Sequence, residues 1–339
     1  MKKPKILVVG SCNMDEIAAT SVMPREGQTV LGNEFSKAPG GKGANQAVQA
    51  ARLGAEVTMI GKLGLDSNGD ELLEVLKDSG IDVSHILRDG HTATGCAIII
   101  LEQKNGEASK NRIIVLPGTN AKITKDDVAF LKDTIDSYDF VILQNEIPME
   151  INEFVARYAF EKGVPVMLNP APSAPLSANL LSHLTYISPN EHEASDLTGI
   201  NIEHNGSDFN KEQVKEASEV LRQKGVKNVL ITLGNAGAVL VNDEGFFYSP
   251  ALNQIKAVDP TAAGDSFVAT FCTGVACGWK CQEILEFANC VASITVSKKG
   301  AMPSLPTLNQ VVEFNKKNGF NVPDLSNLMC GKQGTDFEK

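Results

Sequence analysis

In PTAAGDSF, residues 260 to 267, a carboxylate falls in the first turn of what reads as an apolar helix, behind a run of small residues. Small residues at a helix start leave its free N–H groups and positive dipole end open, which suits an anion such as a transferring phosphoryl group. Asp265 would stand beside those donors, where a carboxylate can be a simple stabiliser of the helix dipole. A second glycine-rich helix mouth lies at PGGKGANQAVQAARLG, 39 to 54, and its Gly-Lys pair suggests a phosphate-binding P-loop. That loop needs Gly, four residues, Gly-Lys and a Ser or Thr. Ser36 occupies the place of the first Gly, and Gly43 follows Lys42, so the pattern fails at both ends.

Two polar pairs have the spacing of a site. Asn13 and Asp15 follow the first apolar run, where a ligand crevice is expected beyond a strand end. Their side chains can exchange hydrogen bonds with vicinal hydroxyls, and equally serve as turn residues. Asn190 and Glu193 are spaced as an N-cap and its third helical residue, a capping box with Asn in place of Ser or Thr. Thr232, Gly234 and Gly237 lie in a turn that either admits phosphates to the backbone or closes a tight hairpin. Cys272, Cys277, Cys281 and Cys290 lack Cys-x-x-Cys spacing and fall on apolar helices, so core packing is expected of them rather than metal binding. His192 is the one histidine near these motifs, and a solvent-facing position is expected for it.

The elements that must position these groups alternate. Short apolar runs, KILVVG (5 to 10), FVILQNE (140 to 146), VPVMLNPAP (164 to 172), LTYISPNE (184 to 191) and NVLITLG (228 to 234), suggest buried parallel strands. Between them, 67 to 80, 124 to 138 and 211 to 225 carry apolar residues near helical spacing. The alternation implies an α/β fold with a doubly wound, mostly parallel sheet and ligands beyond the carboxyl ends of its strands. Residues 26 to 39 and 94 to 118 break the rhythm and read as hairpin material for a small β-sheet lid, or a dimerisation surface, inserted from about 15–40 and 94–118. One domain over 1–317 is expected, with 318–339 a loose, polar C-terminal tail.

Formal net charge is −10, which argues against nucleic acid or an anionic membrane as partner, so any anion site must be built locally. The apolar run Ile6 to Gly10 is too short for a signal peptide, and CAIIIL at 96 to 101 is far below a membrane span. Seven cysteines, an odd count, fit a reducing compartment, and a cytoplasmic protein is expected.

DPTAAGDSF resembles the second signature of the ribokinase family of sugar kinases, and GGKGANQA its first. GSCNMD at 10 to 15 is similar to that family's sugar-binding strand end, and SPNEHEA at 188 to 194 to its Asn-x-x-Glu motif. ITLGNAGAV at 231 to 239 and KKGAMPS at 298 to 304 are similar to its nucleotide and monovalent-cation segments. The motifs keep the family's order over about residues 5 to 310, and GGKGANQA with LNPAP at 168 to 172 looks most like its ribose-phosphorylating members.

The resemblance implies ATP-dependent phosphorylation of D-ribose at its 5-hydroxyl, with deoxyribose, fructose or a nucleoside as alternative acceptors and a catalytically silent sugar sensor as the non-enzymatic alternative. It makes Asp265 the general base and the backbone N–H groups of Ala262, Ala263 and Gly264 the anion hole. It assigns the sugar to Asn13, Asp15, Gly41, Lys42, Gly43, Asn45, Glu146 and Asp265 itself. The nucleotide falls to Thr232, Leu233, Gly234, Asn235, Ala236, Gly237, Gly264 and Asn289, and Asn190 and Glu193 act on Mg²⁺ through water. An activating K⁺ is implied at Asp259, Thr261, Thr295, Lys298, Gly300 and Ser304. Two departures bear on that cation: Pro260 lies inside the turn, and Lys298-Lys299 bring positive charge beside it. A homodimer clasped through the lid is implied as well.

Overall fold

The structure, a computed structural model, describes residues 2–104, 107–252 and 254–330. Along the chain run β1 (Lys5–Val9), β2 (Asn13–Thr20), β3 (Gly32–Gly40), α1 (Lys42–Arg52), β4 (Glu56–Gly64), α2 (Ser67–Asp78) and β5 (Asp82–Asp89). Next come β6 (Gly95–Lys104), β7 (Glu107–Leu116), α3 (Leu131–Thr134), β8 (Phe140–Gln144), α4 (Met149–Glu161), β9 (Val166–Asn169), α5 (Ala178–Ser182) and β10 (Tyr186–Ile187). Then follow α6 (Glu191–Thr198), β11 (His204–Asn205), β12 (Asp208–Phe209), α7 (Lys211–Gln223), β13 (Asn228–Thr232), β14 (Ala238–Asn242) and β15 (Gly245–Ser249). Four helices close the described chain: α8 (Ala263–Ala276), α9 (Cys281–Val296), α10 (Leu308–Asn318) and α11 (Ser326–Met329).

Nine strands form the main sheet in the order β15-β14-β13-β10-β9-β8-β1-β4-β5, parallel from β13 to β5 with β14 and β15 antiparallel at one edge. Its apolar runs are continuous because both faces are covered. In β1, Leu7 and Val9 join the core shared with α4 and α7, whereas Ile6 and Val8 join the core shared with α1, α2, α8 and α9. The second sheet, β3-β2-β6-β7, is the expected small lid. Its pairing begins at Asn13, which is flanked by Gly40 on β3 and Gly95 on β6, so the root of the lid lies at the carboxyl end of β1.

Three segments differ from expectation. Residues 124 to 138 form short 3₁₀ turns around the four-residue α3 instead of one helix. Val128, Leu131 and Ile135 still reach the core, but Asp126, Asp127, Asp133, Thr134 and Asp136 bring low helix propensity to that stretch. The run at 184 to 191 yields only the two residues of β10, since Pro189 has no N–H for a ladder and Asn190 already caps α6. The expected loose tail is anchored up to Cys330: Leu325 and Leu328 are buried with Val291 and Val311, and the Trp279 indole donates to Asp324 O at 2.8 Å. Residues 331–339 lie outside the described residues. Cys272 and Cys290 pack in the core, and His192 is largely exposed.

Candidate active site

At the α1 mouth the backbone is closed. Gly41 takes φ 92°, and a Cβ on it would lie 2.6 Å from Asn13 N. The N–H of Lys42 donates to Glu146 Oε2 at 3.0 Å, that of Gly43 to Ser11 Oγ at 3.3 Å, and that of Ala44 to Ser11 O at 2.9 Å. The first-turn donors that an anion would need are therefore spent within the protein. What remains are side chains. Glu146 collects Ser11 Oγ at 2.5 Å, Lys42 N and, more distantly, Asn13 Nδ2 on one oxygen, leaving Oε1 to accept from a ligand. Asn120, just past the lid, donates to Asn13 Oδ1 at 2.7 Å and fixes that amide against the end of β1.

The α8 mouth is open. Ala262, its N-cap, holds the left-handed conformation at φ 61°, a strained choice for a residue with a Cβ. Ala263 departs from the expected anion hole: its N–H donates to Pro260 O at 3.2 Å, closing the tight turn. Among the described residues the N–H groups of Ala262, Gly264 and Asp265 have no such backbone partner. A Cβ on Gly264 would meet nothing within 4 Å, so this mouth faces space.

Asp265 lies between the two mouths, buried, and α1 holds both its oxygens. Asn45 Nδ2 donates to Oδ2 at 2.8 Å and Gln46 Nε2 to Oδ1 at 3.1 Å. Asn45 keeps its Oδ1 without a partner. A cavity of about 230 Å³ joins Asp265, Ala262 and Gly264 to Lys42, Asn169, Asn190, Glu193 and Thr232. Burial, then Glu146 and Asp265, push the Asp15 carboxyl up to about 7. Burial pulls the Lys42 ammonium down, but Asp265, Glu146 and Glu193 together carry it above its ordinary value, so it stays charged at neutral pH. Burial raises Glu193 against the Asn190 N–H and the Lys42 charge, which favour its carboxylate.

On the far side, Asn190 and Glu193 form a complete capping box, with Glu193 N to Asn190 Oδ1 at 2.8 Å and Asn190 N to Glu193 Oε2 at 2.9 Å. The cap fixes the pair at the cavity wall and leaves Glu193 Oε1 for other work. Thr232 reaches the same wall through its pairing with Asn190. Four expected nucleotide residues serve structure here. Leu233 and Ala236 are buried in the core, a Cβ on Gly237 would lie 2.1 Å from Ser249 O, and Asn289 Nδ2 is spent on Ser249 O and Oγ at 2.9 Å each. Gly234 and Asn235 are exposed.

The sequence pattern described as pfkB family carbohydrate kinase matches residues 3–308. The chain belongs to this family. It is 38% identical to a ribokinase of Bacillus subtilis over 309 residues, covering 91% of this chain and 98% of that one. A ribokinase of Schizosaccharomyces pombe is 39% identical over 322 residues, 92% of this chain and 99% of the relative. A solved structure of Arabidopsis thaliana ribokinase complexed with ribose and ATP superposes with a TM-score of 0.83 at 33% identity, covering 93% of this chain and 99% of that one.

For a carbohydrate kinase of this family, the chain around Asp259 is the remaining candidate site. Asp259 Oδ1 accepts from Thr261 N and Oγ1, and Oδ2 accepts from Gly300 N at 2.9 Å, so one carboxylate ties the turn before α8 to the turn after α9. These bonds hold Asp259 below the usual carboxylate range despite its burial. Thr295, Lys298, Gly300 and Ser304 carry hydroxyl and carbonyl oxygens, the donor type that a hard cation such as K⁺ takes. Among the described residues the Lys298 ammonium has no ion pair or hydrogen bond, and the carboxylate is held by other donors. The Glu193 oxygen and Asn190 fit Mg²⁺, which keeps most of its water and needs few protein ligands.

Sequence reasoning missed Ser11, Gln46, Asn120, Gln144 and Asn169. Gln46 sits beside Asn45 in the quoted GGKGANQA, and Gln144 and Asn169 end adjacent parallel strands, where polar residues in an apolar run signal the crevice.

Proposed function

We propose that the chain transfers the γ-phosphoryl group of ATP to the 5-hydroxyl of D-ribose, giving ribose 5-phosphate and ADP. The observation that carries the reading is Asp265, oriented on both oxygens by α1 and standing next to unspent N–H donors at the mouth of α8. The sugar would lie between Asn13, Asp15, Lys42, Asn45 and Glu146, whose acceptors outnumber their donors, as suits a polyhydroxyl compound. Asp265 would take the hydroxyl proton while the N–H groups of Ala262, Gly264 and Asp265 meet the charge on the phosphoryl oxygens. Asn190 and Glu193 would hold, through water, the Mg²⁺ carried with the nucleotide, which would supply further charge neutralisation. K⁺ at the Asp259 loop would hold the turn that presents Ala262 to Gly264.

Likeness to ribokinases, one of them solved with ribose and ATP, supports ribose as acceptor. A lid-clasped homodimer is supported by apolar side chains exposed on the lid, among them Phe35, Ile113, Ile114 and Val115. Seven free thiols support a reducing, cytoplasmic setting. Among the described residues no helix is long and apolar enough to cross a membrane.

The test is ADP release over ribose, deoxyribose, fructose and adenosine, with and without K⁺. Ribose should be fastest and K⁺ should accelerate it. Fructose or adenosine outpacing ribose would remove the substrate assignment, and ribose binding with no ADP formed would leave a sugar sensor.

A further inference from the structure

Behind Asp265 runs a chain of buried amides. Gln144, at the end of β8, donates from Nε2 to Gln46 Oε1 at 2.7 Å, and Asn152 on α4 donates to the Gln144 backbone carbonyl at 2.8 Å. Gln46 Nε2 then forks, to Asp265 Oδ1 at 3.1 Å and to Asn169 Oδ1 at 3.2 Å. Asn169 Nδ2 in turn donates to Ser188 O at 3.0 Å, two residues before Asn190. Gln46 and Gln144 are fully buried and Asn169 nearly so.

The direction of every amide in this chain is determined. A carboxylate accepts only, so Gln46 must present NH₂ to Asp265 and its oxygen to Gln144. Water has no access through which the Gln46 amide could find other partners and turn over. An aspartate on a helix can still rotate about χ2, and a base that rotates loses its line to the hydroxyl. Asn45 holds the second oxygen, yet it has an unpartnered Oδ1 for the sugar and so belongs to both tasks. Gln46 lies behind the carboxylate and does not line the cavity.

We propose that Gln46 is a positioning residue for the reaction: turned by Gln144, it sets the plane of the Asp265 carboxylate and ties the base to the β9 strand end that leads to Asn190. This rests on Asp265 being the base, as proposed above. Its signature is a loss in kcat without a loss of substrate affinity.

The experiment is steady-state kinetics on full-length Gln46→Met, alone and combined with Asp265→Asn. Gln46→Met should lower kcat about 10- to 100-fold with KM for ribose and ATP within about two-fold, and should take nothing further from the residual rate of Asp265→Asn. Unchanged kcat, a change carried by KM, or the same loss in both backgrounds would overturn the proposal, the last marking a general structural effect. Near-normal turnover in Asp265→Asn itself would sink the base reading instead, a result separate from any seen with Gln46 alone. Should Gln46→Met not fold, Gln144→Met carries the test, since it removes only the bond that turns Gln46. A kcat loss of about 3- to 10-fold at constant KM is then expected, and unchanged kcat overturns the proposal.

Discussion

Two helix mouths meet at Asp265, and they are built in opposite ways. At α1 a serine hydroxyl, a backbone carbonyl and a glutamate have taken the first-turn N–H groups. At α8 the strained Ala262 and the Pro260 turn hold the backbone so that, among the described residues, Ala263 has a backbone partner and Ala262, Gly264 and Asp265 have none. Both are built of small residues and both carry the positive end of a dipole, yet among the described residues only one still has donors to offer an anion. Glycine content therefore does not mark a phosphate site. The accounting of N–H groups does, and it supports the proposal that the phosphoryl group lies at α8 and the sugar among the side chains of α1.

The largest effect that could break this contrast is at the group both mouths share. Asp265→Asn should cut kcat by about 10² to 10⁴ while ribose binding, read by calorimetry, persists. Near-normal turnover would mean that no proton acceptor is needed there. Next, one substitution made at the two mouths should have two different consequences. Gly264→Ala puts a methyl into open space at the anion site, and kcat should fall about 10²-fold with an unchanged denaturation midpoint. Gly43→Ala would place its Cβ 2.6 Å from Ser11 N and 2.7 Å from Gly10 C, and should cost about 1–3 kcal/mol of stability in urea unfolding. Equal stability losses for the two variants would erase the distinction.

The smallest effect concerns protonation on the sugar side. Burial, with Glu146 and Asp265 close by, pushes the Asp15 carboxyl up to about 7, well above an unfolded aspartate. Its charged form is the better acceptor for hydroxyls, so KM for ribose should rise about tenfold from pH 8 to pH 6, and Asp15→Asn should flatten that slope. The stability linkage runs the other way. Between about pH 4 and 7 the folded state binds the extra proton, so the Asp15 contribution weakens as pH rises through that window. A ribose KM that is flat with pH in the unaltered chain would show that Asp15 binds sugar equally well in both forms.

Much of this was legible in the residues. The apolar runs predicted the strands of the main sheet because both of its faces are covered, and residues 26 to 39 and 94 to 118 predicted the lid because they lack helical spacing. The capping-box spacing of Asn190 and Glu193 is realised bond for bond. The run at 124 to 138 misled because its apolar spacing is met equally well by 3₁₀ turns. The tail misled as far as Cys330 because two leucines in a polar stretch pack there against Val291 and Val311.

By itself, then, the sequence determined which groups can do chemistry and which elements carry them, since those follow from local pattern and residue type. Tertiary structure alone decided which donors remain free. Whether an N–H is spent depends on what the fold brings against it: Glu146, 104 positions from Lys42, closes one mouth, while among the described residues no acceptor takes the Gly264 N–H at the other. It also decided that Gln46 and Asn45, about 220 positions from Asp265, orient it, a relation that no local spacing encodes.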